Sequence, residues 1–298
     1  MISSYLPKQP YVVLDQNLFR KQDVIRDLLR RCCRDRMGVL VTDTAVYEFS
    51  KGPKAYGTWR HSLENLCAEP DLCFSGRSLG QMMREEIKTG QPMQNVVDES
   101  VTPWFRLLLE GLRRGNDERM NRALAEVARS IDREKQLREQ HGANKTIVVA
   151  LQDHLQNTLP AAELKHLHRR DEETIVRILA EMETAALIFQ AAKSDGCSDE
   201  TALALTRGPS VYGHLVYSLA GLALDWLAQS GLCTADPARI TNDFHDLDYI
   251  CTATFCSDLA TEDKRAARIY SALTKALEQR FQRILSIEAN ANQGGDPT

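Results

Sequence analysis

The 298-residue sequence has no uninterrupted apolar run of the ~18 residues that a membrane-spanning helix needs. Its most apolar stretch, residues 215–227, is too short and carries Asp225. The start, MISSYLPKQP, lacks a basic region followed by an apolar one, so no secretion signal is expected and a cytoplasmic location is. None of the eight cysteines forms a CxxC pair, and no histidine stands at zinc spacing from them. The common zinc modules are thereby excluded, and free, reduced, partly buried thiols are expected. The phosphate-cradling loops GxxxxGK[ST] and GxGxxG are missing, and no histidine–acid pairing points to a serine or cysteine triad. Basic charge is not in excess. A net charge of −4 excludes a strongly basic nucleic-acid coat, though not a local basic groove. There is no internal repeat.

What is present is an α/β pattern at both ends of the chain. Residues 11–14 (YVVL) read as a buried parallel strand ending at Asp15. Residues 22–36 have a helical stripe of Val24, Ile25, Leu28, Leu29 and Cys32 opposite arginines. Residues 39–41 form a second strand, and Thr42 or Asp43 caps a short helix that Gly52-Pro53 stops. Residues 72–74 predict a third strand and 79–88 a helix. From about residue 104 to 231 the pattern is helical, with a long charged segment at 119–140 and a long helix or helix pair at 161–192. Residues 212–229 are the most apolar and the most buried. The α/β pattern returns with a helix at 246–255, a strand around Leu259 and a last helix from Asp263 to about Ile287. A lone strand there needs a sheet to join. The expectation is therefore one parallel α/β core split in sequence: its first part at 1–88, an all-helical insertion at 89–234, its second part at 235–287, and a disordered tail at 288–298.

Acids gather at the predicted strand ends. Asp15 ends the first strand, and in open parallel sheets ligands bind at that edge. Glu48 is expected at the start of the helix after the second strand, on the same edge. Asp243 and Asp246 are one helical turn apart, and Asp263 follows the last strand. Taken singly, each has a bland reading: Asp15 and Asp243 as caps, Glu48 and Asp248 as solvated residues, Glu262 and Asp263 as first-turn acids of a helix. Together they make a ring of carboxylates that raise one another's pKa, a repulsion that one or two Mg²⁺ or Mn²⁺ ions relieve.

The order of these acids resembles the PIN-domain nucleases. The closest part is Asp246, an apolar helix and then DLATED, with Thr261 before the last acid; the Asp15–Asn17 pair resembles the family's opening. The resemblance covers roughly residues 1–88 and 235–287. It implies a Rossmann-like sheet and Mg²⁺- or Mn²⁺-dependent cleavage of RNA, or of single-stranded DNA, with no covalent intermediate. Asp15, Glu48, Asp246 and Asp263 would be catalytic and metal-binding, Asp243 and Asp258 further metal ligands, and Asn17 and Thr261 supporting residues. The long helical middle departs from a minimal PIN domain and is expected to shape a substrate channel, form a homodimer or take a protein partner. RNA processing, a toxin and a defence role are all compatible.

Two other classes remain open. One is a non-catalytic PIN-like scaffold that binds a protein through its helical insert. The other is a metal-dependent phosphatase; the haloacid-dehalogenase type is disfavoured because Asp15 is followed by Gln16 and Asn17 rather than a second aspartate at DxD spacing. The densest basic run, residues 165–170, with Arg113, Arg114, Arg119, Arg122 and Arg129, either lines a phosphate groove or is a solvated face balanced by nearby glutamates. His166 and His168 lie two apart and cannot share a metal on one helix face. His245 sits between acids and joins them or simply packs.

Overall fold

The structure, a computed structural model, describes residues 8–49, 55–93, 95–114, 141–169, 171–229 and 237–293. Its sheet has four parallel strands: β1 (Gln9–Leu14), β2 (Gly38–Val41), β3 (Cys73–Ser75) and β4 (Cys256–Ala260), in the order β3-β2-β1-β4. Val12, Val13 and Leu14 are buried in succession, as are all four residues of β2, which is the pattern of strands covered on both faces. The first three strands come from the start of the chain and the fourth from near its end, so the sheet is split in sequence as expected.

Helix α1 (Gln22–Asp35) crosses from β1 to β2 and buries Ile25, Leu28, Leu29 and Cys32. Helix α2 (Asp43–Phe49) starts at Thr42, whose hydroxyl accepts from Ala45 N at 3.2 Å, so Thr42 rather than Asp43 is the cap. Helix α3 (Ala55–Leu63) and a 3-10 turn, Glu64–Ala68, lead to β3. Helix α4 (Leu79–Thr89) opens with a full capping box between Ser78 and Gln81.

The middle of the chain is helical: α5 (Thr102–Arg114), α6 (His141–Thr158), α7 (Ala161–His168), α8 (Glu172–Glu181), α9 (Ala185–Ser194), α10 (Asp199–Arg207) and α11 (Val211–Ala228). Three helices replace the long helix or pair expected at 161–192. Asp171 caps a new helix by accepting from Thr174 N at 3.3 Å, and Met182 is extended at ψ 129°. The charged segment 119–140 lies outside the described residues. Nor is the middle a lobe apart. Leu222, Leu224 and Trp226 of α11 belong to the same hydrophobic cluster as Val12 and Val13 of the central strand.

After that cluster come α12 (Pro237–Thr254), β4 and α13 (Lys264–Gln293). Helix α12 begins well before the expected 246, and α13 runs past Ile287 into the expected tail. Residues 294–298 lie outside the described ones.

Two features test this packing. Gly38 opens β2 under two rings, which meet edge-on with centroids 5.0 Å apart. A Cβ there would stand 2.5 Å from the Phe74 ring and 2.8 Å from Tyr11. The Arg106 guanidinium lies over the Phe74 ring, 4.4 Å from its centroid. Gly38→Ala is expected to lose about 1–3 kcal/mol in urea unfolding; an unchanged midpoint would mean the rings yield freely. The second feature is Glu86, fully buried on α4. Its Oε1 accepts from Met93 N and Val211 N, both at 2.8 Å, while Oε2 has no partner among the described residues. Burial outweighs those bonds and pushes its pKa up to about 7.

Candidate functional site

The chain leaves β1 on one side for β2 and β3 and returns on the other side as β4. The point where the strand order reverses therefore lies between β1 and β4, and in open α/β sheets ligands bind at such a point, outside the strands' C-terminal ends. Register fixes what lines it. Leu14 pairs with Ala260, and Asp15 N donates to Ala260 O at 3.0 Å. The next residue on each strand is a polar one, so Asp15 and Thr261 are held side by side.

Asp15 is 3% exposed. Its Oδ2 accepts from Thr261 Oγ1 at 2.6 Å and its Oδ1 from Asn17 N at 3.2 Å. Thr261 uses the same hydroxyl to accept from Asp263 N at 3.0 Å. Asp263 in turn caps α13, its Oδ1 accepting from Arg265 N at 2.6 Å and Ala266 N at 3.1 Å. One threonine thus links the Asp15 carboxylate to the backbone of Asp263 across the two central strand ends.

Glu48 lies in the last turn of α2, not at its start as expected. It still reaches the group, because Tyr249 of α12 donates its hydroxyl to Glu48 Oε2 at 2.8 Å and His245 Nδ1 stands 3.5 Å from Oε1. Burial, followed by the Glu48 charge, drives the Tyr249 phenol well above its usual pKa. Asp243 and Asp246 both sit inside α12, one turn apart. Asp243 is not a helix cap: its Oδ2 accepts from Trp226 Nε1 at 2.8 Å and its Oδ1 from Arg265 Nη1 at 2.5 Å.

Asp246 differs from the others in having no hydrogen bond among the described residues. Burial, and then the charges of Asp15, Asp263, Asp243 and Glu48, push its carboxyl up to about 8. Asp15 is also raised, mainly by burial and further by Glu48, against the lowering effect of Thr261 and Asn17. The structure therefore brings Asp15, Glu48, Asp243, Asp246 and Asp263 into one electrostatic group. It does not bring Asp258. That residue pairs with Val12 partway along β4 and turns to Arg31 of α1, 2.9 Å away. Asp248, read as solvated, accepts from Thr44 Oγ1 at 2.8 Å.

Sequence reasoning missed Arg265, Asp225, Trp226 and Tyr249. Asp225 is 2% exposed within an apolar helix and takes Arg265 Nε at 2.6 Å, Gln229 Nε2 at 2.7 Å and a contact from Arg268. The available signal was Asp225 itself, since an acid in a buried helix demands a cation.

The donor set is made of carboxylate oxygens, which suits a hard divalent cation, and Asp246 would give up its proton to one. The cage is not closed, however. Among the described residues, no three His, Cys, Asp or Glu side chains stand together as a metal-holding group. Glu48 and Asp243 are instead turned to protein partners. Of the basic run, Lys165, His166 and His168 lie on α7, and Arg113 and Arg114 end α5. Arg119, Arg122, Arg129 and Arg170 lie outside the described residues. Among the described residues no helix is long and apolar enough to cross a membrane. No protein-family model, curated protein or solved structure matches this chain.

Proposed function

We propose that the chain is a PIN-like, Mg²⁺- or Mn²⁺-dependent nuclease that hydrolyses RNA. One observation carries this reading: burial, and then the charges of four neighbouring carboxylates, raise Asp246 to about 8 at the reversal point of a parallel sheet. Structural ion pairs lower carboxyl pKa values, whereas a group that raises one is poised for a cation or a proton.

Asp15, Glu48, Asp246 and Asp263 would hold the ion. When bound, it supplies charge that polarises a phosphoryl oxygen and makes water more acidic. Thr261 keeps the Asp15 carboxylate from rotating away, and the N–H groups of Arg265 and Ala266 hold that of Asp263. Tyr249 and His245 do the same for Glu48, which must release at least one of them to turn inward. Asp246 carries or yields the proton that makes the group's charge match its load. Hydrolysis forms one bond from water oxygen to phosphorus and breaks one phosphorus–oxygen bond, and the water's proton leaves with the departing oxygen.

A non-catalytic scaffold is favoured by a specific observation, the open cage with Glu48 and Asp243 already partnered. Cleavage separates the two. Labelled single-stranded RNA and DNA, incubated with Mn²⁺, should be cut by the native chain, and Asp15→Asn should slow cutting by about 10²-fold or more. A native chain that cuts neither polymer and gains no thermal stability from Mn²⁺ or Mg²⁺ is a scaffold.

A further inference from the structure

A cleft of about 680 Å³ lies between α1 and the α3 end with its following 3-10 turn. Arg20, Arg26, Arg30 and Arg34 line one wall, and His61 and Asn65 the other. We propose that this cleft binds the phosphodiester backbone of a single nucleic-acid strand and delivers it to the acid group. The inference rests on the nuclease reading and deepens it.

Three observations support it. The first is charge. Residues 20–36 hold Arg20, Lys21, Arg26, Arg30, Arg31, Arg34 and Arg36 against Asp23, Asp27 and Asp35, a balance of +4 in a chain of −4. Arg34 is paired with its neighbour Asp35 through Nε at 2.8 Å and Nη2 at 3.2 Å, and Arg31 with Asp258 at 2.9 Å, but Arg26 and Arg30 are held only loosely. Arg26–Asp23 and Arg30–Asp27 are 3.3 Å pairs whose aspartates are 91% and 76% exposed, the kind worth well under 1 kcal/mol. Phosphates displace such partners readily, and guanidinium groups take them two oxygens at a time.

The second is spacing. Arg26, Arg30 and Arg34 are four apart on one helix, so they climb the same wall at about 6 Å intervals. That ladder suits successive phosphates of an extended strand better than a single small anion. Glu64 and Glu69 on the facing wall repel phosphates and so favour the arginine side for the backbone.

The third is continuity. Because β1 and β2 are parallel, α1 must run antiparallel to both, and its first residues lie at the acid edge. Arg20 stands only five positions after Asp15. Lys21 is tied to Glu262, next to Asp263, while Asn65 Nδ2 donates to Phe19 O at 2.6 Å. Both walls of the cleft are thus fastened to the segment that leaves the acid site.

The test is fluorescence anisotropy of a labelled single-stranded RNA of about 12 nucleotides, within the range one binding fold covers, in EDTA so that no cleavage occurs. The variant R26A/R30A/R34A changes exposed side chains only, and an unshifted melting temperature confirms its fold. It should bind at least tenfold more weakly, with a slope of log K against log salt shallower by about 2, as for three lost phosphate contacts. With Mn²⁺ present, its KM should rise while kcat stays. R84A/K88A on α4 is the control and should bind as the native chain does. An unchanged Kd and KM in the triple variant, or an equal loss in the control, overturns the cleft while native cleavage keeps the nuclease reading standing. Poly-glutamate displacing RNA at equal charge concentration would mark a groove for acidic protein and overturn it as well. A native chain that neither binds nor cuts RNA removes both readings together.

Discussion

Asp246→Asn is expected to abolish cleavage and at the same time to raise the melting temperature at pH 8. The two effects share one cause. The Asp246 carboxyl is shifted from its ordinary 3.8 to about 8 in the folded chain. Between those values the folded state holds a proton that the unfolded state has released, so stability falls as pH rises from about 4 to about 8. A shift of that size corresponds to a few kcal/mol, discounted for partial exposure and for the coupling of five acids. Asparagine carries no charge at any pH and escapes the loss. At about 2 °C per kcal/mol for a chain this long, the variant should melt several degrees higher at pH 8 and about the same at pH 4. Glu86, with its own pKa near 7, adds a slope of the same sign. It is present in both proteins and cancels in the comparison.

A divalent ion should close the gap from the other side. It binds the deprotonated group, so saturating Mg²⁺ or Mn²⁺ should stabilise the native chain more at pH 8 than at pH 5, by about 3 kcal/mol at a hundredfold excess over Kd. Asp246→Asn should lose most of that response. Differential scanning fluorimetry across pH, with and without metal, reads all of this. A variant that is less stable than the native chain at pH 8 would mean that Asp246 is a satisfied structural acid and not a strained one. Such strain at a working site, released by a neutral substitution, is the usual exchange between stability and activity.

The acid group was partly legible because strand ends are legible. A short apolar run that stops at a polar residue marks both the end of a buried strand and the edge where ligands sit. Asp15 was therefore found from its strand end, while Thr261 came from the family resemblance; register sets the two side by side, and their side chains meet at 2.6 Å. Asp243 and Asp246 were placed on one helix face by their spacing. What sequence could not give was direction. Asp258 stands in the same acidic stretch, but it pairs alongside Val12 and turns to Arg31. Glu48 was placed one turn too early in its helix, since α2 is too short for periodicity to fix its phase. The start of α12 was missed because residues 237–245 are polar and weakly periodic. The break near 182–184 was missed because the apolar pattern continues across it, whereas the one near 169–171 could have been read from the polar run between Leu167 and Ile175 and from Asp171 as a cap residue. The partners of the acids, Arg265, Trp226 and Tyr249, come from three different helices, and only tertiary structure assembles them.

Arg265→Met is expected to be the most destabilising change in the site, by roughly 3–5 kcal/mol in urea unfolding. Arg265 lies between two buried acids, with Nε 2.6 Å from Asp225 and Nη1 2.5 Å from Asp243, and its ring of contacts includes the Trp226 face, 5.8 Å from the guanidinium. Methionine keeps the volume and removes the charge, which leaves Asp243 with Trp226 alone and Asp225 with Arg268 and Gln229. An uncompensated buried carboxylate responds by taking up a proton, so the variant should recover stability as pH falls toward 5, the opposite of a simple packing defect. Asp243→Asn added to Arg265→Met should restore part of the loss, with a coupling above about 1 kcal/mol in the double-mutant cycle. Additive losses, or a cost below 1 kcal/mol that does not change with pH, would mean that water already screens these acids. The coupling also bears on function. Arg265 offsets part of the charge of Asp243 and holds its Oδ1, which leaves Asp15, Glu48, Asp246 and Asp263 as the acids proposed for a cation. Losing Arg265 would place a further carboxylate beside Asp246, and metal affinity in the surviving folded fraction should rise rather than fall. Isothermal titration of Mn²⁺ into Arg265→Met at pH 7 measures that sign directly, and weaker binding would mean that Arg265 orients the group instead of neutralising it.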